Sequence, residues 1–111
     1  MSTWTAQIRK GLVELCVLAA LRGREAYGYE IVQLLGQAEC LAVGESTVYP
    51  VLGRLAQEGL VVVRVAPSPS GPPRRYYRLT AQGEARLREM LVFWKEIQDY
   101  ISKMCEARST R

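Results

Sequence analysis

The sequence predicts a mainly α-helical chain with one small β-hairpin and a long C-terminal helix, and three observations carry that prediction. Apolar residues recur at three- and four-residue steps in four separate segments, the pattern of helices with one face turned inward. The β-branched run Leu60-Val-Val-Val-Arg-Val65 is followed, across a proline-rich stretch, by Arg75-Tyr-Tyr-Arg-Leu79, which reads as the two strands of a hairpin. The last apolar stripe steps by three, four, three, four and three from Leu87 to Met104, the alternation of a helix that meets another helix.

The first helix is expected from Thr5 to Leu21. Ile8, Leu12, Leu15, Cys16 and Ala19 form its stripe, Val13, Val17 and Leu18 widen it, and Gly23 ends it. A second helix is expected from about Tyr27 to Ala38, with Ile31, Leu34 and Leu35 on one face and Glu30, Gln33 and Gln37 between them. The third begins after Gly44, an acceptable N-cap, with Glu45 near the positive end of the helix dipole, and runs to about Glu58 before Gly59 stops it. Val48, Val51, Leu52 and Leu55 share its inner face, and Ser46, Pro50, Gly53 and Gln57 lie opposite, flanked by Thr47, Tyr49 and Arg54. Pro50 removes the bond to the Ser46 carbonyl and is expected to bend the axis.

The segment Pro67-Ser-Pro-Ser-Gly-Pro-Pro73 is expected to stand outside any helix or ladder, as a mobile hairpin tip. Thr80 is a good N-cap for the last helix, expected to reach about Cys105 and to be about 39 Å long at the usual rise per residue. Leu91, Phe93 and Tyr100 broaden its apolar face, which is expected to find a second copy of the chain. The expected organisation is therefore a winged helix-turn-helix unit over 1–79, a dimerisation helix over 80–108 and a disordered tail over 109–111.

Composition narrows the function. At 111 residues, 49% hydrophobic and 23% charged, the chain fits one globular unit. The longest apolar stretch, Leu15 to Leu21, is too short to span a membrane, and no basic and apolar leader opens the chain, so the expected location is cytoplasmic. Three cysteines without CxxC spacing and no histidine argue against metal sites, cofactors and histidine-dependent catalysis; no enzyme is expected. Charge is uneven. Residues 1–63 hold five Lys/Arg against six Asp/Glu, and residues 64–111 hold ten against five. Arg64, Arg74, Arg75 and Arg78 fall in a stretch with no acid, which suits a phosphate backbone or, equally, a solvated loop.

Helices followed by a hairpin with an arginine-bearing tip give the order of a winged helix-turn-helix, whose third helix enters the DNA major groove. Ser46, Thr47, Tyr49 and Arg54 are the candidates for base contact, with Arg74 and Arg75 of the wing and Arg9 and Lys10 of the first helix for phosphates. Each has a structural alternative: Ser46 and Thr47 as helix caps, Tyr49 folded onto the core, Arg54 paired with Glu58 four residues on.

The stretches Ala26-Tyr-Gly-Tyr-Glu-Ile31, Glu45-Ser-Thr-Val-Tyr-Pro-Val-Leu52, Arg54-Leu55, Glu58-Gly-Leu60 and Gly71-Pro-Pro-Arg-Arg-Tyr-Tyr-Arg-Leu-Thr80 resemble the signature of PadR-type transcriptional regulators, over about residues 9–104. The single C-terminal helix resembles that family's short subgroup. The resemblance implies a homodimer joined through its first and last helices, acting as a repressor that binds an inverted-repeat operator and leaves it when an effector arrives. It implies a recognition segment of Ser46, Thr47, Tyr49 and Pro50, with Tyr27 near the DNA and Arg74 and Arg75 on the wing, and it accounts for Pro50, since the family carries proline there. Gly44 and Gly53 depart from the serine and the basic residue frequent at those places.

The resemblance also implies a role for Trp94. Some members place a tryptophan there so that the pair from two subunits sandwiches a flat aromatic compound, while plain packing with Met90, Ile97 and Ile8 in the dimer core is the alternative. Two other readings stand beside the repressor: an interaction module that uses the winged helix and long helix without DNA, and a winged-helix sensor responding through the Cys40 thiol.

Overall fold

The structure, a computed structural model, describes residues 3–109. The chain runs α1 (Thr3–Ala20), β1 (Ala26–Tyr27), α2 (Gly28–Gly36), α3 (Glu45–Gln57), β2 (Val61–Ser68), β3 (Gly71–Leu79) and α4 (Ala81–Ser109). The three strands form one antiparallel sheet in the order β1-β3-β2. The core lies where the inner stripes of α1, α2 and α3 meet the root of that sheet. Leu18, Leu21, Ile31, Leu52 and Leu55 are fully buried there beside Val17 and Val48, and Tyr77 and Leu79 close the core from β3. Side chains of this size contribute about 1.5–3 kcal/mol each when buried.

Each end of α3 has a local cause. Gly44 is its N-cap, and its carbonyl accepts from the Thr47 and Val48 amides at 3.1 and 3.0 Å. At the other end Gly59, at φ +77°, lets the chain reverse so that Leu60 N–H reaches the Leu55 carbonyl and Gly59 N–H the Ala56 carbonyl, at 2.9 and 3.1 Å. The helix passes through Pro50 unbroken, with the ring on an exposed face.

The start of α4 is tied to that same turn. Thr80 Oγ1 accepts from Gly83 N–H at 3.0 Å and donates to the Gly59 carbonyl at 2.6 Å, so one hydroxyl caps α4 and fastens it to the end of α3. Gly83 is buried against the Leu60 carbonyl, where a Cβ would collide with the backbone oxygen.

Two expectations need correction. Tyr27 is the N-cap of α2 and not its first turn: Ala26 and Tyr27 form β1, paired with Tyr77 and Tyr76, and α2 starts one residue later, with Glu30 Oε1 accepting from Tyr27 N–H at 2.9 Å, and ends at Gly36, short of Ala38. A two-residue strand is too short for any periodicity to announce. The proline-rich tip is not outside the ladder either, since β2 reaches Ser68 and β3 begins at Gly71. The sheet tolerates these prolines because β2 is an edge strand and β3 has no outer neighbour beyond Tyr76; the register breaks between Ala66 and Ser68, where Pro67 stands.

α4 has 29 residues and leaves the body behind. Leu87 is its one buried apolar side chain among the described residues. The radius of gyration, 16.7 Å, exceeds the ~13 Å of a compact chain of this length. Ser109 closes α4, and residues 110–111 of the expected tail lie outside the described residues. No helix, among the described residues, is long and apolar enough to cross a membrane.

Candidate nucleic-acid interface

The amphipathic pattern of α3 turns Val48, Leu52 and Leu55 inward and leaves Ser46, Pro50, Gly53 and Gln57 exposed. Thr47 is half-buried at one flank. Tyr49 occupies the other, 41% exposed, with its ring against Gly28 at the start of α2. A Cβ at residue 28 would approach the ring to 2.7 Å, so glycine is what allows this seat. Partial burial, helped by the Glu45 carboxylate, pushes the Tyr49 phenol above its ordinary value.

The wing stands beside this helix. Successive side chains of a strand point to opposite faces, so Arg75 shares a face with Tyr77 and Val65 while Arg74 shares one with Tyr76 and Arg64. The two arginines therefore straddle the hairpin. Arg74 lies over the ring of Tyr27, 4.3 Å from its centroid, and Tyr27 meets Tyr76 edge-on at 5.7 Å. Tyr27, Gly28, Tyr49, Arg74 and Arg75 line one concave surface of about 490 Å³ between the wing and the helices.

The remaining candidates lie elsewhere. Arg54 is held by Glu14 of α1 at 3.0 Å and by Glu58 at 3.2 Å, an arrangement that pushes its guanidinium further above the ordinary arginine value. Arg9 donates from Nε to the Cys40 carbonyl at 2.8 Å, fastening the α2–α3 connection to α1, and Lys10 is exposed one residue on. Ile8, Met90 and Trp94 come together in an apolar groove of about 580 Å³ between α1 and α4, floored by Leu12 and Leu15. Ile97 lies beyond the groove on α4, 37% exposed.

A profile of the family described as "Transcriptional regulator PadR-like family" matches residues 17–89, and a PadR-like transcription factor from Bacteroides fragilis is 38% identical, with 93% of this chain and 99% of that one covered at a TM-score of 0.77. The chain belongs to the PadR-like family of transcriptional regulators. A PadR-like regulator from Bacillus cereus is similar at 32% identity, 88% and 95% coverage and a TM-score of 0.78. Bacillus subtilis PadR, solved in complex with operator DNA, is 25% identical over 73% of this chain and 47% of that one, at a TM-score of 0.65.

Sequence reasoning missed two features of this PadR-like regulator. Glu14, only 17% exposed as a side chain, accepts from Arg54 of α3 and Arg86 of α4, each at 3.0 Å, so one carboxylate joins three helices. Arg64, counted with the wing arginines, instead makes a two-pronged pair with Glu25 at 2.7 and 3.1 Å. Both partners are ordinary surface charges in the sequence, and no local pattern links residues about 40 positions apart.

Proposed function

We propose that this PadR-like regulator is a homodimeric repressor of an inverted-repeat operator. The observation that carries the reading is the concave surface that brings Tyr27, Tyr49 of α3 and the wing arginines Arg74 and Arg75 together, on the helix whose Ser46 and Pro50 are exposed. Small polar Ser46 and Thr47, with Tyr49 and Pro50, let the α3 backbone approach base edges, while Arg74 and Arg75 take phosphates on either side of the wing. Lys10 and Arg9 add phosphate contacts from the middle of α1. Arg54 serves from behind, as the tether that holds α3 to α1 through Glu14. The operator complex of Bacillus subtilis PadR supports DNA as the partner.

The dimer forms through α4 and α1. Phe93, Tyr100, Ile101 and Met104 are all at least 49% exposed, an apolar stripe that isolated soluble chains rarely leave open. Two grooves then face each other with Trp94 at their centre, and a flat hydrophobic effector stacked between the indoles releases the operator. Fluorescence anisotropy against the protein's own promoter region tests this. Expected are salt-sensitive binding, a salt slope smaller by about one per lost phosphate contact in Arg74→Ala and Arg75→Ala, and release with quenched Trp94 fluorescence on adding a planar aromatic dye. Absence of binding at every salt concentration would favour an interaction module instead.

A further inference from the structure

The wing carries a row of contacts that its phosphate-binding role leaves unexplained. Arg64 of β2 and Tyr76 of β3 are register partners, as are Tyr76 and Tyr27 of β1, so the three side chains lie side by side on one face of the sheet. The Arg64 guanidinium sits 4.7 Å from the centroid of the Tyr76 ring and reaches across β3 to both carboxylate oxygens of Glu25, at 2.7 and 3.1 Å. Tyr76 in turn meets Tyr27 edge-on, and Tyr27 is the platform beneath Arg74 at 4.3 Å. The row thus starts at an ion pair on the body side and ends at a wing guanidinium.

We infer that Glu25 and Arg64 are positioning residues for DNA binding: their ion pair clamps the Tyr76 and Tyr27 rings so that Arg74 is held in place before DNA arrives, and Arg64 itself touches no phosphate. The inference rests on the DNA-binding reading above. Its physical basis is that a long arginine side chain loses rotamer freedom when it is fixed on a phosphate, and one already stacked on an immobile ring loses less. Arg64 is suited to the clamp because its planar fork can pair with a carboxylate and stack on a ring at once, which an ammonium cannot do. Its charge is already answered by Glu25, whose carboxyl is held below the ordinary glutamate value mainly by the hydrogen bond from Arg64.

The test is a double-mutant cycle on the full chain, read by anisotropy on a labelled duplex of its own promoter region across a salt series, with thermal melts to confirm folding. Arg74→Ala is expected to weaken binding about five-fold in the unaltered protein and less than two-fold in the Arg64→Met background, because the clamp no longer orders the side chain being removed. Glu25→Gln, which breaks the pair from the other end, is expected to reproduce that coupling. Arg64→Lys is expected to bind as weakly as Arg64→Met, and both are expected to keep the salt slope, whereas Arg74→Ala lowers it by about one. Additive losses in the cycle would overturn the proposal. So would a slope lowered by Arg64→Met and retained by Arg64→Lys, since Arg64 would then be a phosphate ligand. If the unaltered protein shows no salt-sensitive binding, the DNA reading falls and this inference with it; additive losses in a protein that does bind refute the clamp alone.

Discussion

The body of the molecule, residues 3–87, and the length of α4 beyond it are built from similar side chains to opposite ends. In the body, Leu, Ile and Val from three helices and a sheet cover one another, and Val17, Leu18, Ile31, Val48, Leu52 and Leu55 are fully inaccessible. Beyond Leu87 the apolar residues are as regularly spaced, yet Val92, Phe93 and Tyr100 remain over 60% exposed. Amphipathic spacing says that a face will be covered; it does not say by what. The body covers its faces within one chain because short connections fold its elements back on themselves, whereas a helix of 29 residues outreaches everything the chain can lay against it.

The strongest break of this contrast is Ile97→Glu. Under the proposed dimer, a carboxylate in the apolar stripe is expected to leave monomers in sedimentation velocity with the body still folded by circular dichroism; an intact dimer would remove that stripe from the interface. Next in size, Leu52→Ala is expected to lower unfolding stability by about 4 kcal/mol through the cavity it opens, while Met104→Ala in the Ile97→Glu monomer changes it by less than about 0.5 kcal/mol. Equal losses in urea titrations of the two would show that the distal helix packs on the body after all.

Gly83→Ala probes the joint between the regions. The added Cβ is driven into the Leu60 carbonyl, and a loss of about 3 kcal/mol is expected in the same titrations; near-neutral behaviour would mean that α4 docks loosely. The smallest effect concerns the wing. Because the Glu25 pKa is lowered in the fold, its pair with Arg64 contributes fully above the ordinary glutamate value and is lost as pH falls through the lowered one. A pH titration of the Arg64 guanidinium resonances by NMR is expected to show them released only in that acidic window, and release near neutrality would contradict the pairing.

The helices, the hairpin and the long final helix were legible because each follows from a short-range pattern: a period of 3.6 with glycine stops, a β-branched run, a threonine cap. The family was legible from motifs strung along the chain, and the profile match agrees with it. The wing prolines misled, since proline excludes a residue from a ladder only where its N–H would have been needed, and strand order decides where that is.

Arg54, Arg64, Arg74 and Arg75 look alike in the sequence, as four cations on or near the third helix and the hairpin. Folding sorts them: it carries Glu14 to Arg54 and Glu25 to Arg64, and it leaves Arg74 on a tyrosine ring and Arg75 on the opposite face. Local patterns specify elements because propensity and periodicity act within a few residues. Which charge is spent on a partner and which stays available depends on side chains some 40 residues distant, and that pairing exists only once the strands and helices have met.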